Sequence, residues 1–164
     1  MRPFVIGAFA ALSLAGQAGA QQAATPSNVQ ALSYGAPISA SDGLALVRRG
    51  MEQSAARGLK MAIAVVEPSG ELVAFAKMDD APYGSGRLAQ QKARTSARLR
   101  ITTAALEERV QGGRTALITS DEVIAIGGGV PIVVGGRIVG AVGVSGGAAA
   151  QDAALAADLV SLSR

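Results

Sequence analysis

Two pairs of short apolar segments, each pair joined by a tight turn, constrain the fold of this chain more than any other feature. All four segments are mainly apolar and too short for typical helices, and three of them are rich in β-branched residues, which favours strands. The first pair is joined by Glu67-Pro68-Ser69-Gly70, where proline presets φ and glycine tolerates a positive φ. The second is joined by Gly135-Gly136, which permits a type I′ turn, and Pro131 restricts its strand to a sheet edge or a strand beginning. The sequence therefore predicts two antiparallel hairpins, with strands at residues 61–66, 72–78, 130–134 and 137–144.

Segments of helical composition lie before, between and after the two hairpins. Ser39 is predicted to cap the first helix, and Gly58 to end it. Two helices are expected between the hairpins and one after them, so the order is helix, hairpin, two helices, hairpin, helix. This order predicts an α+β fold, with helices packed on an antiparallel sheet, rather than alternating βαβ units. The three later helices are expected at residues 87–99, from Thr102 or Thr103 to 110, and 148–162.

The first twenty residues have the pattern of a secretory signal peptide. Arg2 gives a positively charged start, residues 4–14 are small or apolar apart from Ser13, and Ala18-Gly19-Ala20 fits a small-x-small cleavage site. The apolar run is too short for a spanning helix, which needs about 20 residues, and no later segment has the pattern of a membrane anchor. We therefore expect an exported protein, periplasmic or extracellular. Its parts are a signal peptide over residues 1–20, a flexible lead-in over 21–37 and a single domain over 38–164.

The residue types that the chain lacks exclude whole classes of chemistry. There is no Cys, no His and no Trp, so disulfides, Cys/His zinc sites, histidine triads and thiolate nucleophiles are excluded. The segment 143–147 matches G-x-S-x-G, but its Ser145 has no histidine to serve as general base, which argues against a hydrolase. Adjacent acidic residues such as Asp79-Asp80 point in different directions, so no metal site is expected.

Positive charge is concentrated in one segment. No acidic residue lies between Asp80 and Glu107, whereas five basic residues do. Such a segment attracts an acidic small molecule or a membrane surface, or it is simply a solvated helix face. Nucleic acid is not expected, because Tyr83 is the one aromatic residue nearby. The five basic residues are Arg87, Lys92, Arg94, Arg98 and Arg100.

Four blocks of sequence, in a fixed order, carry a resemblance to a known family. The chain resembles the GlcG/HbpS family, also called the haem-degrading domain, which includes a domain of the PduO cobalamin adenosyltransferases. The resemblance covers about residues 37–161. It implies a helix-flanked antiparallel sheet that assembles into dimers or larger rings, and haem binding in some members. The blocks are Met78-Asp79-x-Ala81, Lys92-Ala93-x-Thr95-Ser96-Ala97, Gly128-Gly129-Val130-Pro131-Ile132 and Gly140-x-Val142-Gly143-Val144-Ser145-Gly146-Gly147, the last followed by Gln151-Asp152.

The resemblance implies an oligomeric small-molecule-binding protein with haem as its ligand and cofactor. Lys92 and Arg94 would meet the haem carboxylates, with Asp152 either in the site, paired with Lys92, or capping the last helix. Without histidine, iron ligation would fall to Tyr34 or Tyr83, since Met51, Met61 and Met78 are expected in the core. The alternatives are an enzyme or accessory subunit acting on a small organic acid, and a structural oligomer without ligand. The implied ligand-binding residues are Lys92, Arg94, Thr95, Gly128, Gly129, Ser145, Gly146 and Asp152.

Overall fold

The computed structural model describes residues 32–161, which form four strands flanked by helices. The strands make one antiparallel sheet in the order β2-β1-β4-β3, and every strand pair is antiparallel. The predicted α+β fold is therefore confirmed, with strand limits within one residue of those expected. A short 3-10 helix, Thr115–Thr119, was not expected from the sequence. The elements are α1 (Ala40–Ala56), β1 (Ala62–Val66), β2 (Leu72–Lys77), α2 (Ser85–Leu99), α3 (Thr103–Gln111), β3 (Gly129–Val134), β4 (Arg137–Ser145) and α4 (Ala149–Ser161).

The second hairpin turn and the edge position of β3 follow from local chemistry. Gly135 and Gly136 have φ angles of 55° and 73°, which is the backbone that a two-residue type I′ turn requires. Pro131 lies in β3, an outer strand of the sheet. Proline has no backbone N–H to donate, and an edge strand tolerates this because one of its sides has no neighbouring strand. Both predictions are confirmed.

The two faces of the sheet bury different kinds of side chain. On one face, Ile63 and Val65 of β1 join Val142 and Val144 of β4 in a core of large aliphatic residues that α1 and α4 cover. On the other face, small side chains of β1 and β4 meet the stripe Ala89, Ala93 and Ala97 of α2. Burying each large aliphatic side chain contributes about 1.5–3 kcal/mol. The sheet therefore rests on a thick core on one side and on a close helix contact on the other.

Two glycines allow α2 to approach the sheet closely. A Cβ atom at Gly143 of β4 would overlap the carbonyl oxygen of Ala89, and one at Gly129 of β3 would overlap the carbonyl oxygen of Lys92. Backbone atoms cannot swing aside as a flexible side chain can, so only glycine fits at either position. This contact fixes α2 over β1, β3 and β4, and α2 touches β2 much less.

The predicted signal peptide, residues 1–20, lies outside the described residues, as does most of the predicted lead-in. The described end of the lead-in is attached to the sheet: Gly35 donates to the carbonyl of Ile138 and Ile138 donates to that of Ser33. Ile38 then donates to Val139, so this segment extends the sheet beside β4 where β1 has ended. Within residues 32–161, no helix is long and apolar enough to cross a membrane.

Candidate functional site

Most of the implied site residues meet around a buried ion pair between α2 and α4. The ammonium group of Lys92 lies 2.7 Å from a carboxylate oxygen of Asp152, and the two side chains are only 1% and 3% exposed. Lys92 also donates to the carbonyl oxygen of Val144 at 3.1 Å. Burial raises the pKa of Asp152 above 3.8, against the opposing effects of Lys92 and the N–H groups of Gly147 and Gly146. The structure shows the pairing of Asp152 with Lys92 that the sequence left open, and the same carboxylate also accepts a hydrogen bond from the backbone just before α4.

Two glycine-rich turns close over this ion pair. Gly147 donates its backbone N–H to the second carboxylate oxygen of Asp152 at 3.0 Å. A Cβ atom at Gly128 would lie 3.0 Å from the Lys92 ammonium and 2.9 Å from Cβ of Asp152. The backbone of Gly129 donates to the hydroxyl of Thr103 at 2.8 Å. These glycines approach the protein's own ion pair, so their close packing serves the fold.

Ser145, Gly146 and Thr95 are likewise occupied by internal contacts. Ser145 lies at the end of β4 and is 4% exposed. A Cβ atom at Gly146 would overlap the carbonyl oxygen of Lys60, so this residue packs on the segment before β1. The hydroxyl of Thr95 donates to the carbonyl of Glu122 and accepts from Ile124, at 3.0 and 3.1 Å. Thr95 thereby holds the segment after the 3-10 helix against α2.

Arg94 lies on the opposite, exposed flank of α2, apart from the ion pair. Its Nε donates to the carbonyl oxygen of Gly70 at 3.3 Å, in the turn between β1 and β2. With Arg87, Gln90, Gln91 and Gly86 it lines a groove of ≈ 410 Å³. The structure therefore divides the implied site into a closed internal cluster and an open basic groove.

An apolar strand surface adjoins this groove because α2 leaves β2 largely uncovered. Phe75 and Leu72 of β2 are 37% and 47% exposed. They oppose Ala64 and Val66 of β1, whose side chains face α2, and opposed residues of an antiparallel pair share a face. The Phe75 ring lies 3.3 Å from the place of a Cβ atom on Gly86. We call the surface made by Leu72, Phe75, Gly86, Arg87, Gln90, Gln91 and Arg94 the β2–α2 face.

The two tyrosines implied as iron ligands lie near opposite ends of α2. The hydroxyl of Tyr34 lies 3.0 Å from the carbonyl oxygens of both Ala97 and Arg98 and donates to them. Tyr83 precedes α2 near the β2–α2 face and is fully exposed, with the ammonium of Lys77 5.6 Å from its ring centroid. A single ligand cannot reach both tyrosines of one chain, because 15 helical residues span about 22 Å.

The three methionines among residues 32–161 lie in or against the core, as expected. Met61 is fully buried in the aliphatic core under α1 and α4, and Met51 and Met78 pack against it. The Sδ atom of Met78 accepts a hydrogen bond from the backbone of Met61 at 3.4 Å. None of these thioethers lies on the β2–α2 face.

Arg87, Gln90, Gln91 and Phe75 were missed as site residues, although a signal for three of them was present in the sequence. Ala89, Ala93 and Ala97 recur at four-residue steps, which marks the buried side of α2. Residues 87, 90, 91 and 94 lie on another side of the same helix, so they form one polar face. Phe75 had no comparable signal, because its exposure depends on where α2 crosses the sheet.

A second groove, of ≈ 550 Å³, lies between α1 and β3 and contains none of the implied site residues. Its lining is mainly aliphatic, with Ile38, Ile132 and Val139 among the residues that form it. Asp42 and Arg49 of α1 are its charged residues, and Asp42 already accepts a hydrogen bond from the hydroxyl of Ser39. Unlike the β2–α2 face, this groove is lined by no aromatic residue from the described part of the chain, and its basic residue, Arg49, is accompanied by the acidic Asp42.

Comparisons with known proteins place the fold and the family. The family described as "Haem degrading protein HbpS-like" matches residues 38–161. Protein GlcG of Escherichia coli (strain K12) is 43% identical over 101 residues, which are 62% of this chain and 75% of GlcG. The crystal structure of Klebsiella pneumoniae protein ORFY is similar with a TM-score of 0.73 and 25% identity, over 77% of this chain and 90% of ORFY. A crystal structure of a PduOC:heme complex is similar with a TM-score of 0.69 and 26% identity, over 76% and 94% of the two chains. The chain therefore belongs to the HbpS-like family.

Proposed function

We propose that this protein binds haem as a small-molecule ligand on the β2–α2 face. The observation that carries the proposal is the placement of two exposed arginines, Arg87 and Arg94, beside the uncovered apolar side chains of Leu72 and Phe75. Haem combines the same two features, a flat apolar ring and carboxylates at its edge.

The side chains of this face fit the organic part of haem. Arginine guanidinium groups bind carboxylates through two parallel hydrogen bonds, each charge-assisted. Phe75 offers an aromatic surface for stacking, and Leu72 extends that surface along the strand. The chain has no His or Cys to bind iron, and Tyr83, the phenol at this end of α2, is fully exposed. Bound haem would supply iron redox chemistry, whereas the residues of this face bind and orient the ligand.

Similarity to other proteins supports the same ligand. The family description concerns haem degradation, and a protein 26% identical to this chain has been crystallised as a heme complex. The buried Lys92–Asp152 pair gives the site a rigid base, because it ties α2 to the end of β4 and to α4. Export and homo-oligomer formation belong to the proposal too, supported by the pattern of residues 1–20 and by the family resemblance.

A second candidate function is the binding or conversion of a small organic acid at Arg94. It is favoured by the groove on α2, in which Gln90 and Gln91 stand between the arginines as amide donors. A small acid with one carboxylate would use the groove and leave Phe75 uncovered. The two functions therefore differ in whether the exposed strand surface is used.

Haem titration of three proteins tests the proposal. The proteins are the wild type, Arg87→Gln/Arg94→Gln, and the control Arg48→Gln/Arg49→Gln, which removes the same charge from α1 on the other side of the sheet. We expect saturable binding by wild type and control. Each arginine lost from the face should weaken binding about tenfold, because a charge-assisted hydrogen bond contributes about 1.5 kcal/mol or more. The salt dependence should also become flatter. If haem gives the same spectrum with this protein as with an unrelated protein, the proposal fails.

A further inference from the structure

We infer that the β2–α2 face recognises a tetrapyrrole by its ring and its two carboxylates rather than by its iron, so that a metal-free porphyrin dicarboxylate is a ligand of the same site. This inference rests on the proposed function and narrows it to a class of ligand. Three observations support it: the arrangement of the two arginines, the apolar strand surface beside them, and the placement of the potential iron ligands, which are hydrogen-bonded within the fold, packed in or against its core, or fully exposed.

The spacing of the arginines matches a ligand with two separated anionic groups. Arg87 and Arg94 are seven residues apart, which places them on one flank of α2 and about 10 Å apart along the helix axis. A ligand with one carboxylate cannot give each guanidinium group a carboxylate of its own. A wide ring that carries two carboxylates can bind both, and its apolar body can then lie toward Leu72 and Phe75.

Both guanidinium groups have free donors for such a ligand. Arg87 makes no hydrogen bond or ion pair with any of the described residues. Arg94 uses Nε toward the carbonyl of Gly70, and its terminal nitrogens have no partner in the part of the chain that the structure describes. A third arginine, Arg98, differs from both, since it is held by Glu122, Glu71 and the carbonyl of Ser69. The two arginines that line the groove are thus the ones that remain available.

The groups that could hold iron are placed for other purposes. Tyr34 binds carbonyl oxygens at the far end of α2, and its ring faces the guanidinium of Arg100 at 5.5 Å. Met51, Met61 and Met78 are in or against the aliphatic core. Tyr83 remains, but it is fully solvated, with the ammonium of Lys77 over its ring. No described side chain near the face is held in place by a buried neighbour so as to point at a metal, which a dedicated axial ligand requires.

The test compares haem with metal-free protoporphyrin IX as probes. Binding is followed by porphyrin fluorescence for the metal-free probe, and by haem absorbance and quenching of an attached fluorophore for haem. The proteins are wild type, Arg87→Gln, Arg94→Gln, the double variant, the control Arg48→Gln/Arg49→Gln, and Tyr83→Phe. Circular dichroism checks that each variant is folded, which we expect because every substituted side chain is exposed or partly exposed at the surface.

We expect the two probes to bind wild type with dissociation constants within about threefold of each other, a difference well below one decade. The single variants Arg87→Gln and Arg94→Gln should each weaken both probes by about tenfold, and the double variant by more than either. Tyr83→Phe should change neither probe by more than about twofold, and the α1 control should behave as wild type.

The possible failures are distinguishable. Haem binding that is lost in Tyr83→Phe, with protoporphyrin IX binding at least about thirtyfold weaker than haem, would overturn this inference and leave the proposed function standing. Equal binding of both probes that is unaffected by the arginine variants would show that the β2–α2 face is not the site, and would also overturn it. If neither probe binds more tightly than to an unrelated protein, the proposed function itself fails.

Discussion

Removing one member of the buried Lys92–Asp152 pair is expected to destabilise the protein strongly. Both side chains are almost fully buried, and within residues 32–161 the Lys92 ammonium has two partners, the carboxylate of Asp152 and the carbonyl of Val144. Asp152→Asn leaves that ammonium buried without a counter-charge, which costs about 3–5 kcal/mol. For a domain of this size this corresponds to a fall in melting temperature of roughly 10–20 °C.

The assay is urea unfolding followed by circular dichroism, with the melting temperature as a second measure. The matched control is Asp158→Asn, because Asp158 also lies on α4 and forms a 2.7 Å ion pair, but with an exposed partner, Arg57. The side chains of this control pair are 53% and 40% exposed, so its loss should cost at most about 1 kcal/mol. A change in the midpoint at constant m-value would identify a true loss of stability.

The pH dependence gives a second measure of the same pair. Burial raises the pKa of Asp152 in the folded state above 3.8, so the folded protein holds this proton more tightly than the unfolded chain does. This tighter proton binding stabilises the folded protein fully below about pH 3.8, and the contribution is lost as the pH rises through the pKa of Asp152 in the folded state. Lys92→Met removes the hydrogen bond and the positive charge of Lys92, both of which lower the pKa of Asp152. The loss of stability of this variant relative to wild type should therefore shrink as the pH falls.

Two results would refute this reasoning. One is an Asp152→Asn variant that loses no more stability than Asp158→Asn, since the two pairs then would not differ in solvation. The other is a Lys92→Met deficit that grows as pH falls, since that reverses the sign expected for a buried carboxyl left without its cation. The paired replacement Lys92→Met/Asp152→Leu should recover part of the loss, because no buried charge then remains.

Two further predictions concern the helix contact and the N-terminus. Gly143→Ala should cost at least about 3 kcal/mol or prevent folding, because its Cβ atom would overlap the carbonyl of Ala89. Gly84→Ala, at a glycine with open space around it, should cost no more than about 1 kcal/mol; similar costs for the two variants in urea unfolding would contradict the close helix contact. The mature protein should begin at or near Gln21 when its N-terminus is sequenced, and a protein that still begins with Met1 and stays inside the cell would remove the expectation of export.

The secondary structure could be predicted from the sequence because helix caps and turns depend on neighbouring residues. The hydroxyl of Ser39 accepts from the backbone of Asp42, and that of Thr102 accepts from Ala105, as helix caps do. Gly135 and Gly136 adopt the positive φ angles that their turn needs. Each of these features depends on atoms within four residues, so the order of helices and hairpins could be predicted without knowledge of the rest of the chain. The 3-10 helix lacked such a signal.

The candidate site was predictable only in part, because Lys92 and Arg94, which are close in sequence, were both expected to bind the carboxylates of one ligand. Lys92 and Arg94 are two positions apart on α2, which is about 200° around the helix axis. They therefore face opposite directions, Lys92 toward Asp152 and Arg94 toward the open groove. Helical geometry alone implies this separation. The four-residue repeat of small residues on α2 indicates which direction is buried.

The amino-acid sequence by itself determined the elements, the two hairpin turns and the exclusion of chemistry that needs histidine or cysteine. Only the tertiary structure decided which distant residues come into contact. The pairing of Lys92 with Asp152 joins residues 60 positions apart, and the exposure of Phe75 follows from the position of α2 over β1, β3 and β4. Such contacts are set by packing between distant segments, where glycines and small side chains allow a helix to approach the sheet closely. No local pattern records which surface of the sheet that helix leaves uncovered.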